Sequence, residues 1–164
     1  MVRPFQLAGP LLILGALLAA LWTPHVVEDP LPASRVQSLD EILSPPLSVQ
    51  TVLARSCNDC HSNHTRWPWY AHLRPIASKI REDVVHARRV LNFSEWVHGG
   101  SRRDVNLQVK TLQTSCSAMQ AGMMPPNYYL YLHPNAKLAN IDVRAFCDWA
   151  RQVSDTLTNN ANKP

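Results

Sequence analysis

The side chains best suited to chemistry lie in residues 56–63, where two cysteines and a histidine follow the spacing Cys57-x-x-Cys60-His61. If this segment is helical, residues three and four apart share one face, so both thiols and the imidazole lie on the same side. Two such thiols can add to the two vinyl groups of one porphyrin while the imidazole reaches its iron. We therefore predict one covalently bound haem of the c type, with Cys57 and Cys60 as tethers and His61 as the proximal iron ligand.

Two other kinds of site also use paired cysteines. A thioredoxin-type dithiol has the same spacing, but a histidine directly after the second cysteine is not part of that motif, and no strand precedes it. A zinc site needs a second ligand pair at short spacing, whereas Cys116 and Cys147 are isolated. The two alternatives therefore fit less well than haem attachment. Cys116 and Cys147 either pair with each other in an oxidising compartment or remain buried free thiols.

The length and composition fit one domain with short appendages. The chain has 164 residues, and its formal net charge of +4 is mild, with basic and acidic residues interspersed. A nucleic-acid-binding protein would instead concentrate its basic residues in a patch or stripe. We therefore expect no nucleic-acid partner.

Residues 1–23 have the pattern of an export segment, because Arg3 precedes an apolar run over residues 5–22. Such a run is either a signal peptide or a transmembrane anchor, and we favour the anchor because the run is just long enough to span. The positive charge of Arg3 places the rest of the chain outside. We therefore predict a periplasmic domain attached to the inner membrane through residues 5–22, on the face where bacteria attach haem covalently.

Residues 24–47 contain five prolines and no sustained apolar period, which predicts a proline-rich linker. Beyond it, apolar residues recur at helical spacings of three and four. The predicted helices begin at Ser48, cover residues 75–91 and 103–120, and begin again near Asn140. The pattern predicts an all-α haem-binding domain over residues 48–155 and a flexible tail over residues 156–164.

Several motifs then follow one another in a specific order. They are residues 57–70, Pro75, residues 91–96, Met124-Pro125-Pro126 with Tyr128, and Leu132-His133-Pro134. In these motifs the chain resembles the bacterial haem-binding domain family of single-haem cytochromes c, over roughly residues 49–153. The resemblance implies a cytochrome c-like helical fold around one haem. The chain departs from the family pattern at residues 76–78, where a serine and a tryptophan would be expected, and at Met123, where a polar residue is usual.

Met124 is the predicted sixth ligand of the iron. A thioether on a loop stiffened by prolines is a suitable axial ligand, and the position just before the paired prolines matches the family. Met123, a histidine and an open site remain alternatives. Met119 falls on a helix face where core packing explains it better, and the Leu-His-Pro setting of His133 predicts a surface or structural histidine.

The side chains that follow the motif are expected to surround the porphyrin. Trp67 and Trp69 can wall it, with indole nitrogens or Arg66 facing its propionates, although ordinary core packing would also explain the two tryptophans. A backbone carbonyl of Pro68 or Pro75 can accept the outer ring N–H of His61 and fix its tautomer.

Electron transfer without catalysis is the function that these features favour, since two axial ligands leave no open position for dioxygen or peroxide. Methionine ligation also favours a comparatively high reduction potential. A redox partner protein would dock near the exposed haem edge. The alternatives are a haem-based sensor or peroxidase-like domain with a displaceable sixth ligand, and a haem-containing subunit of a larger membrane complex.

Overall fold

The computed structural model describes residues 5–21, 37–74, 76–96 and 102–163. Within these ranges the chain is helical and has no strand, which confirms the predicted all-α class. The α-helices are α1 (Phe5–Leu21), α2 (Leu39–Leu43), α3 (Leu47–Ser56), α4 (Asn58–His61), α5 (Ile76–Val90), α6 (Arg102–Gln120), α7 (Asn127–Leu130) and α8 (Asn140–Ala161). Short 3₁₀ turns occur at Trp69–His72 and Pro134–Ala136.

The apolar N-terminal run forms the 17-residue helix α1, with Pro10 inside it. In the part of the chain that the structure describes, neither α1 nor any other helix has both the length and the hydropathy needed to cross a membrane. A spanning helix over residues 5–22 is therefore not found there.

The helix that leads into the cysteine motif buries the predicted stripe. Val49, Val52, Leu53 and Ser56 are buried. The backbone kinks at Cys57, whose φ of −127° is not helical, but its amide still bonds to the carbonyl of Leu53 at 3.0 Å. The amide of His61 then bonds to the carbonyl of Cys57 at 2.9 Å, so α4 continues α3 after the kink.

The core forms where α6, α8 and α3 pack together. Its largest fully buried side chains include Leu112 on α6 and Phe146 on α8. Arg55 on α3 and Asp142 on α8 also form an ion pair at 2.7 Å. The closing helix α8 therefore packs against α3, the helix that leads into the cysteine motif.

The folded domain begins earlier than the linker prediction allows. Ser38 and Glu41 form a capping box at the start of α2, and Leu39 is 1% exposed. The amide of Leu39 bonds to the carbonyl of Phe93 at 2.8 Å, which joins α2 to the loop after α5. The prolines at both ends of this segment concealed the Ser-x-x-Glu signal that marks a helix start. The described end of the predicted linker is thus part of the core, while residues 24–36 lie outside the described residues.

The last helix extends beyond the predicted end of the domain. Helix α8 continues to Ala161, although residues 156–164 were predicted to form a flexible tail. The hydroxyls of Thr156 and Thr158 donate to the carbonyls of Gln152 and Ser154 at 2.9 and 2.8 Å. Both are bonds from a threonine hydroxyl to the carbonyl four residues earlier, a contact that threonine makes within helices. They lie in the turns of α8 that extend beyond the predicted end of the domain.

Cys116 on α6 and Cys147 on α8 form a disulfide, with their Cα atoms 5.2 Å apart. The structure thus selects the disulfide over the alternative of two free thiols. The pairing follows from helix packing, because α6 and α8 lie against each other over much of their length.

Removing this disulfide should destabilise the protein by about 3–4 kcal/mol, because it closes a loop of 31 residues in the unfolded chain. The variant is Cys116→Ala with Cys147→Ala, and the measurement is urea unfolding of the full chain. Wild-type protein kept in reductant is the matched control, because it loses the cross-link but keeps both sulfur atoms. A loss below about 1 kcal/mol in both samples would contradict the prediction.

Candidate functional site

The imidazole of His61 is held by a hydrogen bond from its Nδ1 to a backbone carbonyl. Its Nδ1–H donates to the carbonyl of Leu91 at 3.0 Å, which leaves Nε2 with a lone pair for a metal. Burial lowers the pKa of His61, so the ring favours the neutral form that a metal ligand requires. The acceptor is therefore Leu91 and not Pro68 as predicted; Pro75, the other predicted acceptor, lies outside the described residues. Leu91 follows the end of α5 and is 30 residues from His61 in the sequence, so no local sequence pattern predicts this hydrogen bond.

Asn63 holds the loop that carries this acceptor. It is 6% exposed, its amide oxygen accepts from Asn92 at 2.8 Å, and its Nδ2 donates to Glu95 at 2.9 Å. Its backbone N–H donates to the hydroxyl of Ser94 at 3.0 Å. Sequence reasoning gave Asn63 no role, although it stands two residues after His61, and an asparagine and a serine stand in the 91–96 segment. The network fixes the position of the Leu91 carbonyl relative to the imidazole.

Replacing Asn63 by alanine should lower the free energy of unfolding by about 1–3 kcal/mol, because its partly buried partners Asn92 and Glu95 lose their hydrogen bonds to it. Thermal or urea unfolding measures the change. Asn106→Ala is the matched control, since Asn106 is an exposed asparagine on α6. Equal effects of the two substitutions would mean that the Asn63 network does not hold the loop.

Cys57 and Cys60 are free thiols. Burial, with a contribution from Cys60, raises the pKa of Cys57 to about 12. Burial followed by the charges of Asp59 and Asp83 raises the pKa of Cys60 to about 11. A thioredoxin-type dithiol and a zinc site both depend on a thiolate at neutral pH, which these surroundings disfavour.

Two neighbouring cavities flank the motif. The larger, of about 340 Å³, is lined by Cys57, His61 and Met124 together with apolar side chains that include Phe93 and Phe146. The smaller, of about 170 Å³, is lined by Cys60 together with apolar and aromatic side chains that include Ile80, Val84, Pro126 and Tyr129. Each cavity therefore has one motif cysteine, part of α5 and part of the 124–126 loop in its wall. We refer to the two cavities together as the cleft; most of its lining is apolar, but charged side chains of Asp59, Arg66, Lys79 and Asp83 also line the smaller cavity.

The methionines differ in their relation to His61. Met124 is 42% exposed and lines the same cavity as His61. Met123 is 61% exposed and is not among the described residues that line that cavity. Met119 lines it as well, but it is 7% exposed and packs in the core, as its helical position predicted. The structure thus brings Met124 and Met119 towards the histidine.

The side chains predicted to surround a porphyrin are placed differently. Arg66 lines the smaller cavity but is paired with Asp59, its Nε lying 3.0 Å from Oδ1. Trp67 is half-buried and Trp69 is 70% exposed, and neither is among the described residues that line the two cavities. Two other side chains of the same segment, Pro68 and Tyr70, line the smaller cavity in their place.

Asp59 is a second residue that sequence reasoning missed. It lies between the two motif cysteines, and its side chain is 13% exposed. Besides Arg66, its carboxylate accepts the hydroxyl of Tyr129 at 3.0 Å. Burial, followed by the charge of Asp59, raises the pKa of Tyr129, so this hydroxyl remains a donor.

His133 has a structural setting. Its ring stacks on Tyr129 with centroids 4.1 Å apart, and its Nε2 forms a hydrogen bond with the hydroxyl of Tyr70. Burial lowers the pKa of His133, which favours the neutral ring in this stack. The imidazole of His133 therefore contacts two tyrosines, Tyr129 by stacking and Tyr70 by a hydrogen bond.

The donor set fits a metal held by a macrocycle. Among the described residues, no group of three or more His, Cys, Asp or Glu side chains could hold a metal ion. What the site offers is a neutral imidazole, a thioether on the same cavity, and two free thiols beside an apolar cleft. A haem iron takes four of its ligands from the porphyrin and needs one or two from the protein, as these residues provide.

In the comparison with protein-family models, residues 16–152 match the model described as a haem-binding domain. Searches of curated proteins and of solved structures find no match.

Proposed function

Since the chain belongs to the family of haem-binding domains, we propose that it is a c-type cytochrome with one haem attached through Cys57 and Cys60. His61 and Met124 are the proposed axial ligands. The observation that supports this most directly is the hydrogen bond from His61 Nδ1–H to the carbonyl of Leu91, which leaves Nε2 free. His61 also lines the same cavity as Cys57 and Met124. We propose electron transfer, and not catalysis, as the function.

A bound haem supplies a one-electron iron(II)/iron(III) couple. The chain's own residues set the conditions for that couple. The Leu91 carbonyl holds the imidazole in one tautomer and orientation. The apolar side chains of the cleft would disfavour the additional charge of the oxidised state, which together with a thioether ligand would support a comparatively high potential.

We propose that the protein acts on the periplasmic side of the membrane. The apolar helix α1 supports export, and the Cys116–Cys147 disulfide supports an oxidising compartment. A redox partner protein would dock at the rim of the cleft, where Met124 and Tyr128 are 42% and 56% exposed.

The exposure of Met124 also favours a second candidate function. A ligand on an exposed loop is more easily displaced than a buried one, and displacement would open a position on the iron for a small molecule. The second candidate is therefore a haem-based sensor or peroxidase-like domain.

Visible spectra of the purified full chain, oxidised and reduced, with and without carbon monoxide, distinguish these functions. The electron carrier should be low-spin in both states and bind carbon monoxide slowly. A high-spin ferric spectrum or rapid binding at neutral pH would favour the second candidate. Absence of haem from the protein after expression with the bacterial attachment machinery would overturn both.

A further inference from the structure

The loop that carries Met124 is fixed to the rest of the protein at its beginning. It leaves α6 at Gly122, whose φ of +65° suits glycine. The amides of Met123 and Met124 both bond to the carbonyl of Ala118, at 3.0 and 3.4 Å. Beyond Met124 the loop passes two prolines and enters α7, so contacts of α7 must hold its far end.

Tyr129 on α7 makes the contact that reaches the cysteine motif. Its hydroxyl donates to Asp59 Oδ2 at 3.0 Å across 70 residues of sequence. Asp59 is itself immobilised, because Arg66 donates to its carboxylate through Nε at 3.0 Å and through Nη2 at 3.3 Å. The bond therefore joins the methionine side of the cleft to a fixed point between the two cysteines.

A second contact runs beside the first. His133 stacks on Tyr129 with an interplanar angle of 9°, and its Nε2 bonds to the hydroxyl of Tyr70. Tyr70 lies in the 3₁₀ turn Trp69–His72, which follows the motif. The ring of Tyr129 is thus supported on one face by His133 while its hydroxyl reaches Asp59.

The neighbouring tyrosine makes a more exposed contact. Tyr128 donates to Asp83 on α5 at 3.1 Å, but Tyr128 is 56% exposed, and Asp83 also pairs with Lys79. Water competes for such a bond more than for one to the carboxylate of Asp59, which is 13% exposed. The contact of Tyr129 should therefore contribute more to closure of the cleft.

We propose that Tyr129 is a positioning residue that keeps Met124 on the cleft by donating its hydroxyl to Asp59. The part of this inference that concerns the iron rests on the proposed function. Hydrogen bonds to charged groups have a net effect that corresponds to about a tenfold to a hundredfold change in an equilibrium constant. Loss of this bond should raise, by that factor, the fraction of molecules in which the loop has moved Met124 off the cleft. The apparent affinity for an external iron ligand should rise with that fraction.

The test uses Tyr129→Phe in the full chain, because this change removes the hydroxyl and keeps the ring on His133. The first readout is hydrogen exchange at the amides of Tyr129 and Leu130, which bond to the Pro126 carbonyl at 3.0 and 3.3 Å. It should be about tenfold to a hundredfold faster than in wild type. The second is titration of the ferric protein with imidazole, whose apparent affinity should rise by the same factor. Tyr131→Phe is the matched control, since Tyr131 is 83% exposed on the same segment.

If the exchange rates and the imidazole affinity of Tyr129→Phe lie within twofold of those of Tyr131→Phe, the proposed role of Tyr129 is wrong. Asp59→Ala should reproduce the faster exchange, and the double variant should add little to either single change, because both remove the same bond. Additive effects would mean that the two residues act separately. The exchange readout compares each variant with the Tyr131→Phe control in the same state of iron ligation, so it needs no assignment of the sixth ligand. A wild type without a methionine-ligated spectrum would therefore overturn the proposed ligand pair, while the exchange rates still decide whether Tyr129 holds the loop.

Discussion

The double variant Cys57→Ser, Cys60→Ser should contain no covalently bound haem. A serine hydroxyl has nearly the shape of the thiol, but it is a far weaker nucleophile and does not form the thioether that joins a vinyl group to the chain. The fold should persist, because the two thiols lie at the edge of the core and form no disulfide. A haem stain of the denatured protein measures the result.

The matched control for this loss is Cys116→Ser with Cys147→Ser. It removes the same number of sulfur atoms but leaves the motif intact, so it should retain the stain even though it is less stable. Haem that stays on the denatured Cys57→Ser, Cys60→Ser chain would show that the attachment assigned to these residues is wrong.

Met124→Ala should convert a low-spin ferric spectrum into that of a site with an open position. Carbon monoxide should then bind the reduced protein about a hundredfold more tightly, because it no longer competes with an internal thioether for the iron. The reduction potential should fall as well, since the thioether favours iron(II). Optical titration with carbon monoxide and a redox titration measure the two effects.

Met123→Ala is the control for this prediction, because Met123 is the adjacent methionine and is 61% exposed. It should leave both spectra unchanged. If Met124→Ala keeps the methionine signature, the axial role passes to Met123 or Met119, and Met119→Leu would then separate the two.

The longer helices could be predicted from the sequence because their stripes repeat over several turns. The apolar spacing of α6 predicted residues 103–120, and the structure has Arg102–Gln120. Helix α2 was missed because it has only five residues, too few to show a helical repeat of apolar side chains, and because prolines lie close to it in the sequence. Its position is set by a bond to Phe93, a partner that lies far away in the sequence.

The motif residues of the site were predictable, but their supports were not. The spacing of Cys57, Cys60 and His61 identifies a local face, which is a property of neighbouring residues. The partners of His61 and Asp59 are Leu91 and Tyr129, and each pair meets only after the chain has folded back on itself. Local periodicity predicts which side of a helix is buried, but not which carbonyl or carboxylate the opposing element presents.

The Cys116–Cys147 disulfide has a consequence beyond stability. Cys116 lies on the same turn of α6 as Ala118, whose carbonyl accepts the amides of Met123 and Met124. Tying this turn to α8 stiffens the base from which Met124 extends. Electron exchange is fast when the ligands of an iron keep nearly the same positions in both oxidation states, because little rearrangement is then required. In the proposed electron carrier, the disulfide should therefore lower the reorganisation energy of the iron site.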